Sequence, residues 1–172
     1  ERPGDTFYYN GQAHNYPRIE LIYWAGGNPF HHHQDLKRLI RAWRQVPHII
    51  VNEQFWTTNA KLADVVFPAT TAFEREDIGF ATRDRYMVAM QQILAPHEQA
   101  RDDYDIFAGL AKRLGCEDTF TEGRDAQAWI RHLYEDCRPR AKAAGVDLPD
   151  FDTFWAQGTI DLSQPGQYNN ML

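Results

Sequence analysis

The chain of 172 residues carries 18 basic and 24 acidic side chains, for a formal net charge of −6 at pH 7, and 43% of it is hydrophobic. That is enough apolar material to bury the core of one domain, while the acidic balance excludes a general nucleic-acid binder, since nothing would neutralise the phosphates. No run approaches the ~20 apolar residues of a membrane span, no signal peptide is visible, and a chain that begins at Glu1 rather than at a methionine reads as a piece of a longer protein.

Residues 1–16 contain glycine and asparagine and are expected to be irregular, as is the tail over residues 163–172; an α/β domain is expected over residues 17–162. Residues 19–25, IELIYWA, form a short β-rich apolar run. Leu36, Leu39, Ile40 and Trp43 then recur at helical spacing. Residues 48–53, HIIVNE, predict a second strand, and TTNAKLA predicts a short helix capped by Thr57 or Thr58. Residues 64–69, DVVFPA, predict a third strand. An extended segment around YMVAMQQI precedes a helix over about Asp103 to Leu114 that buries Ile106, Phe107, Leu110 and Ala111, with Gly115 ending it. A last helix starts near Asp125 and buries Ala126, Trp129, Ile130 and Leu133. Apolar strands that alternate with helices predict a Rossmann-like, doubly wound fold, a mainly parallel sheet with helices on both faces. Cys116 and Cys137 are too few and too far apart for a disulfide framework or a CxxC pair, and are expected as buried free thiols.

In such a sheet, ligands bind outside the carboxyl ends of the strands, which gives the loop AGGNPFHHHQD, residues 25–35, its interest. Gly26 and Gly27 let backbone approach a ligand, and the helix that follows offers N–H groups and a dipole to a phosphate. The histidines His31, His32 and His33 lack partners at zinc-ligand offsets, so phosphate, ribose or backbone contact is the expectation and no metal site is assigned. Glu53, at the end of the second strand, stands where a Rossmann-type domain accepts from ribose hydroxyls, or else is a solvated charge. Arg75, among Glu74, Glu76 and Asp77, holds a phosphate as a planar fork or pairs with those acids.

Four blocks then place the sequence more closely: YWAGGNPFHHHQDLKRLIRAW, ADVVFPATTAFEREDIG, QARDDYDIFAGLAKRLG and LPDFDTFWAQG. In order and with few gaps from about Pro17 to Gly158, they resemble the dimethyl sulfoxide reductase family of molybdenum enzymes, nearest its trimethylamine N-oxide and biotin sulfoxide reductase branch. The resemblance implies a single large parent chain that holds molybdenum between two molybdopterin guanine dinucleotides, takes electrons from a donor protein or reductant, and reduces a small S-oxide or N-oxide by oxygen-atom transfer. It implies that this portion, together with the remaining domains of the parent, binds one of the two dinucleotides, with Gly26, Gly27, Asn28, His32, Asn52, Glu53, Arg75 and Asp105 at the nucleotide. Asp105 enters only through the resemblance. Its carboxylate suits guanine, which offers N1–H and the 2-amino group as two parallel donors. No segment resembles the family's molybdenum ligand, so no catalytic residue is assigned and the chain alone is expected to be inactive. Family members of this branch occur in periplasm or cytoplasm, and the compartment is left open. The alternatives are a stand-alone nucleotide-binding or regulatory module without molybdenum chemistry, and a metal-binding protein built on the histidine triplet.

Overall fold

The computed structural model describes residues 2–81 and 84–163, so the expected tail beyond Ser163 lies outside the described residues. The chain divides into two compact units, Glu1–Pro68 and Ala69–Leu172.

The first unit opens with an antiparallel hairpin of β1 (Thr6–Tyr9) and β2 (Gln12–Asn15). This corrects the expectation of an irregular start. Its cause is the pair Asn10-Gly11, both at positive φ (48° and 74°), the backbone that a two-residue hairpin turn demands. A three-stranded parallel sheet follows, with β3 (Leu21–Ala25), β4 (His48–Glu53) and β5 (Val65–Pro68) in that spatial order. Helix α1 (Pro29–His32) and helix α2 (Leu36–Trp43) connect β3 to β4, and α3 (Thr58–Lys61) connects β4 to β5. Thr57 rather than Thr58 caps α3, accepting from the Ala60 N–H at 3.4 Å, and Asp35 caps α2 through Arg38 at 3.0 Å.

The core of this unit lies on one face of the sheet. Ile49 and Val51 are buried there with Phe30 and Trp43, and Ile22, Trp24, Leu39 and Ile40 pack against them. On the opposite face Leu21, Val65 and Phe67 remain 50%, 43% and 40% exposed.

In the second unit β6 (Asp77–Gly79), β7 (Tyr86–Met90) and β8 (Thr159–Asp161) pair antiparallel, with β7 in the middle. Among the named strands parallel pairing is confined to β3, β4 and β5, with one isolated parallel bridge between Ala69 and Arg101, and the described residues form a mixed α/β structure rather than one mainly parallel sheet. The alternation of exposed Tyr86 and Val88 with buried Met87 and Ala89 is the period-two pattern of a sheet with one covered face. Helix α4 (Asp103–Leu114) has the expected bounds; α5 (Glu117–Thr121) and α7 (Phe151–Gln157) are short, and α6 (Ala126–Ala143) is long. Gly115 ends α4 in the left-handed conformation. Met87, Ala89, Tyr134, Leu148, Phe151, Phe154 and Leu162 form the buried core, with the Tyr134 and Phe154 rings stacked 4.7 Å apart.

Some side chains expected inside are not. Leu133 is 57% exposed and Leu110 36%, because periodicity marks an apolar stripe without showing what covers it; on α6 the covered stripe runs through Ile130 and Tyr134. Cys116 is exposed and Cys137 half-buried, so neither is the buried thiol expected.

Phe154→Ala should therefore cost about 3–5 kcal/mol of stability by emptying a fully buried ring site, whereas Leu133→Ala should stay within about 0.5 kcal/mol. Urea denaturation of both variants checks this, and equal losses would contradict the assigned core.

Candidate functional site

The glycine loop is shaped by strand β3 as much as by its own residues. Gly26 and Gly27 follow β3 with φ of 76° and 66°, consecutive left-handed residues that side chains rarely tolerate. A Cβ at either would meet nothing within 4 Å, so backbone conformation rather than crowding selects glycine here, and the loop is open to approach. The Trp24 indole N–H donates to the Gly27 carbonyl at 3.2 Å. Asn28 turns its carboxamide inward: Oδ1 accepts from the Phe30 N–H at 3.0 Å as the cap of α1, and Nδ2 is buried without a partner among the described residues. Helix α1, only four residues long, intervenes between the glycines and α2, the helix expected to follow this loop, whose N-terminus Asp35 caps. His31, His32 and His33 are all exposed.

Parallel register brings the second strand end beside this loop. Ala25 pairs with Asn52, which sets Gly26 next to Glu53 along the carboxyl edge of the sheet. Asn52 is 5% exposed and accepts from the Tyr23 hydroxyl at 3.0 Å. Glu53 accepts from the Thr57 hydroxyl at 2.8 Å on one oxygen and from the Gln54 N–H at 3.1 Å on the other. The half-buried carboxylate is thus held by two donors, and each oxygen keeps a lone pair.

In the second unit the candidates gather around Thr70, which is 1% exposed. Its hydroxyl donates to Asp102 at 2.7 Å, its N–H donates to the Arg101 carbonyl at 3.1 Å, and its carbonyl accepts from Arg75 at 3.2 Å. Arg75 also pairs with Asp77 at 3.3 Å. Among the acids flanking Arg75, Asp77 is thus the ion-pair partner, and with five donors in its fork the guanidinium keeps others available. Glu74 organises the same loop: it accepts from the Thr71 N–H and hydroxyl at 2.7 and 2.8 Å and from the His97 N–H at 2.9 Å. Those backbone and hydroxyl donors from Thr71 hold its pKa below the usual carboxylate range.

Asp105 lies in the first turn of α4, exposed, and its carboxylate has no hydrogen bond or ion pair among the described residues. Burial pushes its pKa up, Asp102 and Asp125 add to the rise, and Arg101 opposes it. The structure therefore places Gly26, Gly27, Asn28, His32, Asn52 and Glu53 on the first unit, and Arg75 and Asp105 on the second. Among the described residues no group of three or more His, Cys, Asp or Glu side chains is arranged to hold a metal ion, and no helix is long and apolar enough to cross a membrane.

Sequence reasoning weighs Trp24 as a residue facing the cleft but reads it as core, and it singles out neither Tyr23 nor Thr70. A tryptophan at a strand end is indistinguishable from core until its N–H is seen to point along the loop, and the Thr70 and Tyr23 hydroxyls donate to Asp102 and Asn52, 32 and 29 residues away.

A family model described as molybdopterin oxidoreductase matches residues 3–113. Biotin sulfoxide reductase of Cereibacter sphaeroides is 50% identical over 157 residues, 91% of this chain and 21% of that protein. Dimethyl sulfoxide/trimethylamine N-oxide reductase of Rhodobacter capsulatus is 46% identical over 166 residues, 94% of this chain and 20% of that protein. Trimethylamine-N-oxide reductase of Haemophilus influenzae is 45% identical over 157 residues, 90% of this chain and 19% of that protein. The chain spans about a fifth of the length of these relatives. Among solved structures, acetylene hydratase of Pelobacter acetylenicus matches 86% of this chain and 19% of its own at a TM-score of 0.64 and 20% identity, a likeness of fold.

The raised pKa of Asp105 has a definite sign in stability. The folded chain binds that proton more tightly than the unfolded chain, so stability falls as pH rises past the ordinary Asp value of about 3.9, and the cost is complete at neutral pH. Asp105→Asn removes the titrating group and should melt higher than the parent sequence at pH 7, with the gap closing as pH drops to about 3. Thermal melts across that range check it; a variant that melts lower at pH 7 would contradict the electrostatic account.

Proposed function

The chain belongs to the molybdopterin oxidoreductase family, and from that membership we propose that it binds one molybdopterin guanine dinucleotide within an enzyme that reduces S-oxides or N-oxides. The names of its relatives support the substrate class, since proteins 45–50% identical over nine-tenths of the chain are sulfoxide and N-oxide reductases. When bound, the molybdenum of that cofactor supplies the two-electron oxygen-atom transfer that turns the oxide into its reduced product and water. The residues of this chain bind and orient.

The observation that carries the nucleotide reading is Asp105, a carboxylate with no hydrogen bond among the described residues, whose pKa is raised by burial and by Asp102 against the opposing charge of Arg101. An isolated acid in that setting gains most from two parallel donors, and the N1–H and 2-amino group of guanine are such a pair. Adenine has none. In the first unit the open backbone at Gly26 and Gly27 suits close approach of pyrophosphate, and the lone pairs left on Glu53 suit ribose hydroxyls. Asn28, with its carboxamide turned inward, contributes through its backbone, while exposed His32 and the carboxamide of Asn52 complete that edge. The remaining donors of Arg75 suit a phosphate.

The same reading extends to the fold. A parallel sheet is ordinarily covered on both faces, and Leu21, Val65 and Phe67 are exposed on one. The whole protein completes a Rossmann-like, doubly wound arrangement with helices from outside this chain, and an electron donor protein or reductant delivers the two electrons.

Asp105→Asn tests the base contact in the full-length protein. The substitution turns one acceptor into an NH₂ that faces a donor, at a cost of roughly 2–4 kcal/mol, about a thirtyfold to thousandfold loss of affinity for the guanine form. Arg75→Lys should weaken guanine and adenine forms alike, by loss of the planar fork. Cofactor content and reconstitution with both forms provide the readout; an Asp105→Asn protein that keeps its preference for guanine would overturn the base contact.

A further inference from the structure

We propose that Trp24 is a positioning residue for the dinucleotide loop, holding Gly26, Gly27 and Asn28 in their binding conformation through its indole N–H. This rests on the reading that the loop meets the dinucleotide.

The argument is a closed circuit of contacts within the first unit. Trp24 donates to the Gly27 carbonyl at 3.2 Å. One residue on, Asn28 accepts from the Phe30 N–H at 3.0 Å. The Phe30 ring meets the Trp43 ring edge-on at 5.4 Å, and Trp43 meets Trp24 at 5.7 Å. The loop is thereby tied at two points to an aromatic cluster whose members Phe30 and Trp43 are 5% and 4% exposed. Between the ties stand two adjacent glycines, the residues with the most backbone freedom to lose. A loop that is ordered before binding spares the ligand that entropy.

Packing alone does not explain a tryptophan at position 24. A phenylalanine ring fills the same side of the sheet, and only indole adds a donor at its rim. The neighbouring Trp43 shows the contrast, because its own Nε1 is buried without a partner among the described residues. Of two tryptophans in one cluster, the one that reaches the glycine loop uses its N–H on that loop.

The experiment uses cofactor-free full-length protein with guanosine diphosphate as the probe, and hydrogen exchange over residues 25–33. Two variants are compared with the parent sequence: Trp24→Phe, and replacement of Trp24 by benzothienylalanine, which keeps the fused-ring shape and lacks the N–H. Both should raise the Kd for guanosine diphosphate about three- to tenfold, the loss expected for one hydrogen bond, and should accelerate exchange in residues 25–33. Melting temperature and exchange in β4 should match the parent. If the Phe variant fails to fold, the benzothienyl protein decides. Unchanged loop exchange in a folded variant overturns the proposal, as does acceleration that spreads equally through β4, since that reports a merely structural role. If the parent protein itself does not bind guanosine diphosphate while loop exchange still accelerates, the dinucleotide reading falls and the positioning role stands.

Discussion

The pairing of Ala25 with Asn52 is the constraint on which the first unit depends. Side chains alternate across a sheet, so a one-residue slip would carry each strand's apolar set to the other face. In the observed register Ile22, Trp24, Ile49 and Val51 share the covered face, and β4 runs one residue past the end of β3, so that Glu53 stands level with the start of the glycine loop. Consecutive residues of β3 then serve different partners: Tyr23, on one face, donates to Asn52, and Trp24, on the other, donates to Gly27. Sheet register, loop conformation and the orientation of the strand-end acceptors are in this sense one structural fact.

The second unit solves a different problem, that of holding several acids close together. Glu74, Asp77 and Asp102 each have hydrogen-bond donors from nearby backbone, hydroxyl or guanidinium groups. Asp105 has none among the described residues and bears the cost as a raised pKa. A perturbed carboxylate beside satisfied ones is a candidate functional group.

Much of this was legible in the sequence, and the losses have physical causes. The three parallel strands, the bounds of α4 and a threonine cap on α3, Thr57 of the two offered, follow from local pattern and hydrogen-bonding chemistry. The hairpin at Asn10-Gly11 was equally legible, since that dipeptide is a strong turn signal, but the surrounding glycine and asparagine suggested irregularity. The antiparallel sheet was not legible, because β8 starts at Thr159, 69 residues after β7 ends at Met90, and no local pattern announces a partner so distant. Burial of Leu110 and Leu133 was misjudged because an apolar stripe records a need for cover and not its source. At the candidate site, Glu53 and Arg75 announced themselves by position, whereas Trp24 and Thr70 act through atoms that any packing account treats as incidental.

The central claim is that this chain recognises a guanine dinucleotide, and the measurement that tests it most directly is an experimental density map of the cofactor-loaded full-length protein. The account predicts guanine N1 and its 2-amino nitrogen at hydrogen-bond distance, about 2.7–3.2 Å, from the two carboxylate oxygens of Asp105, and ribose or pyrophosphate atoms against Gly26, Gly27 and Glu53. A dinucleotide whose guanine is held elsewhere, with Asp105 left to solvent and the glycine loop touching only protein, would contradict it.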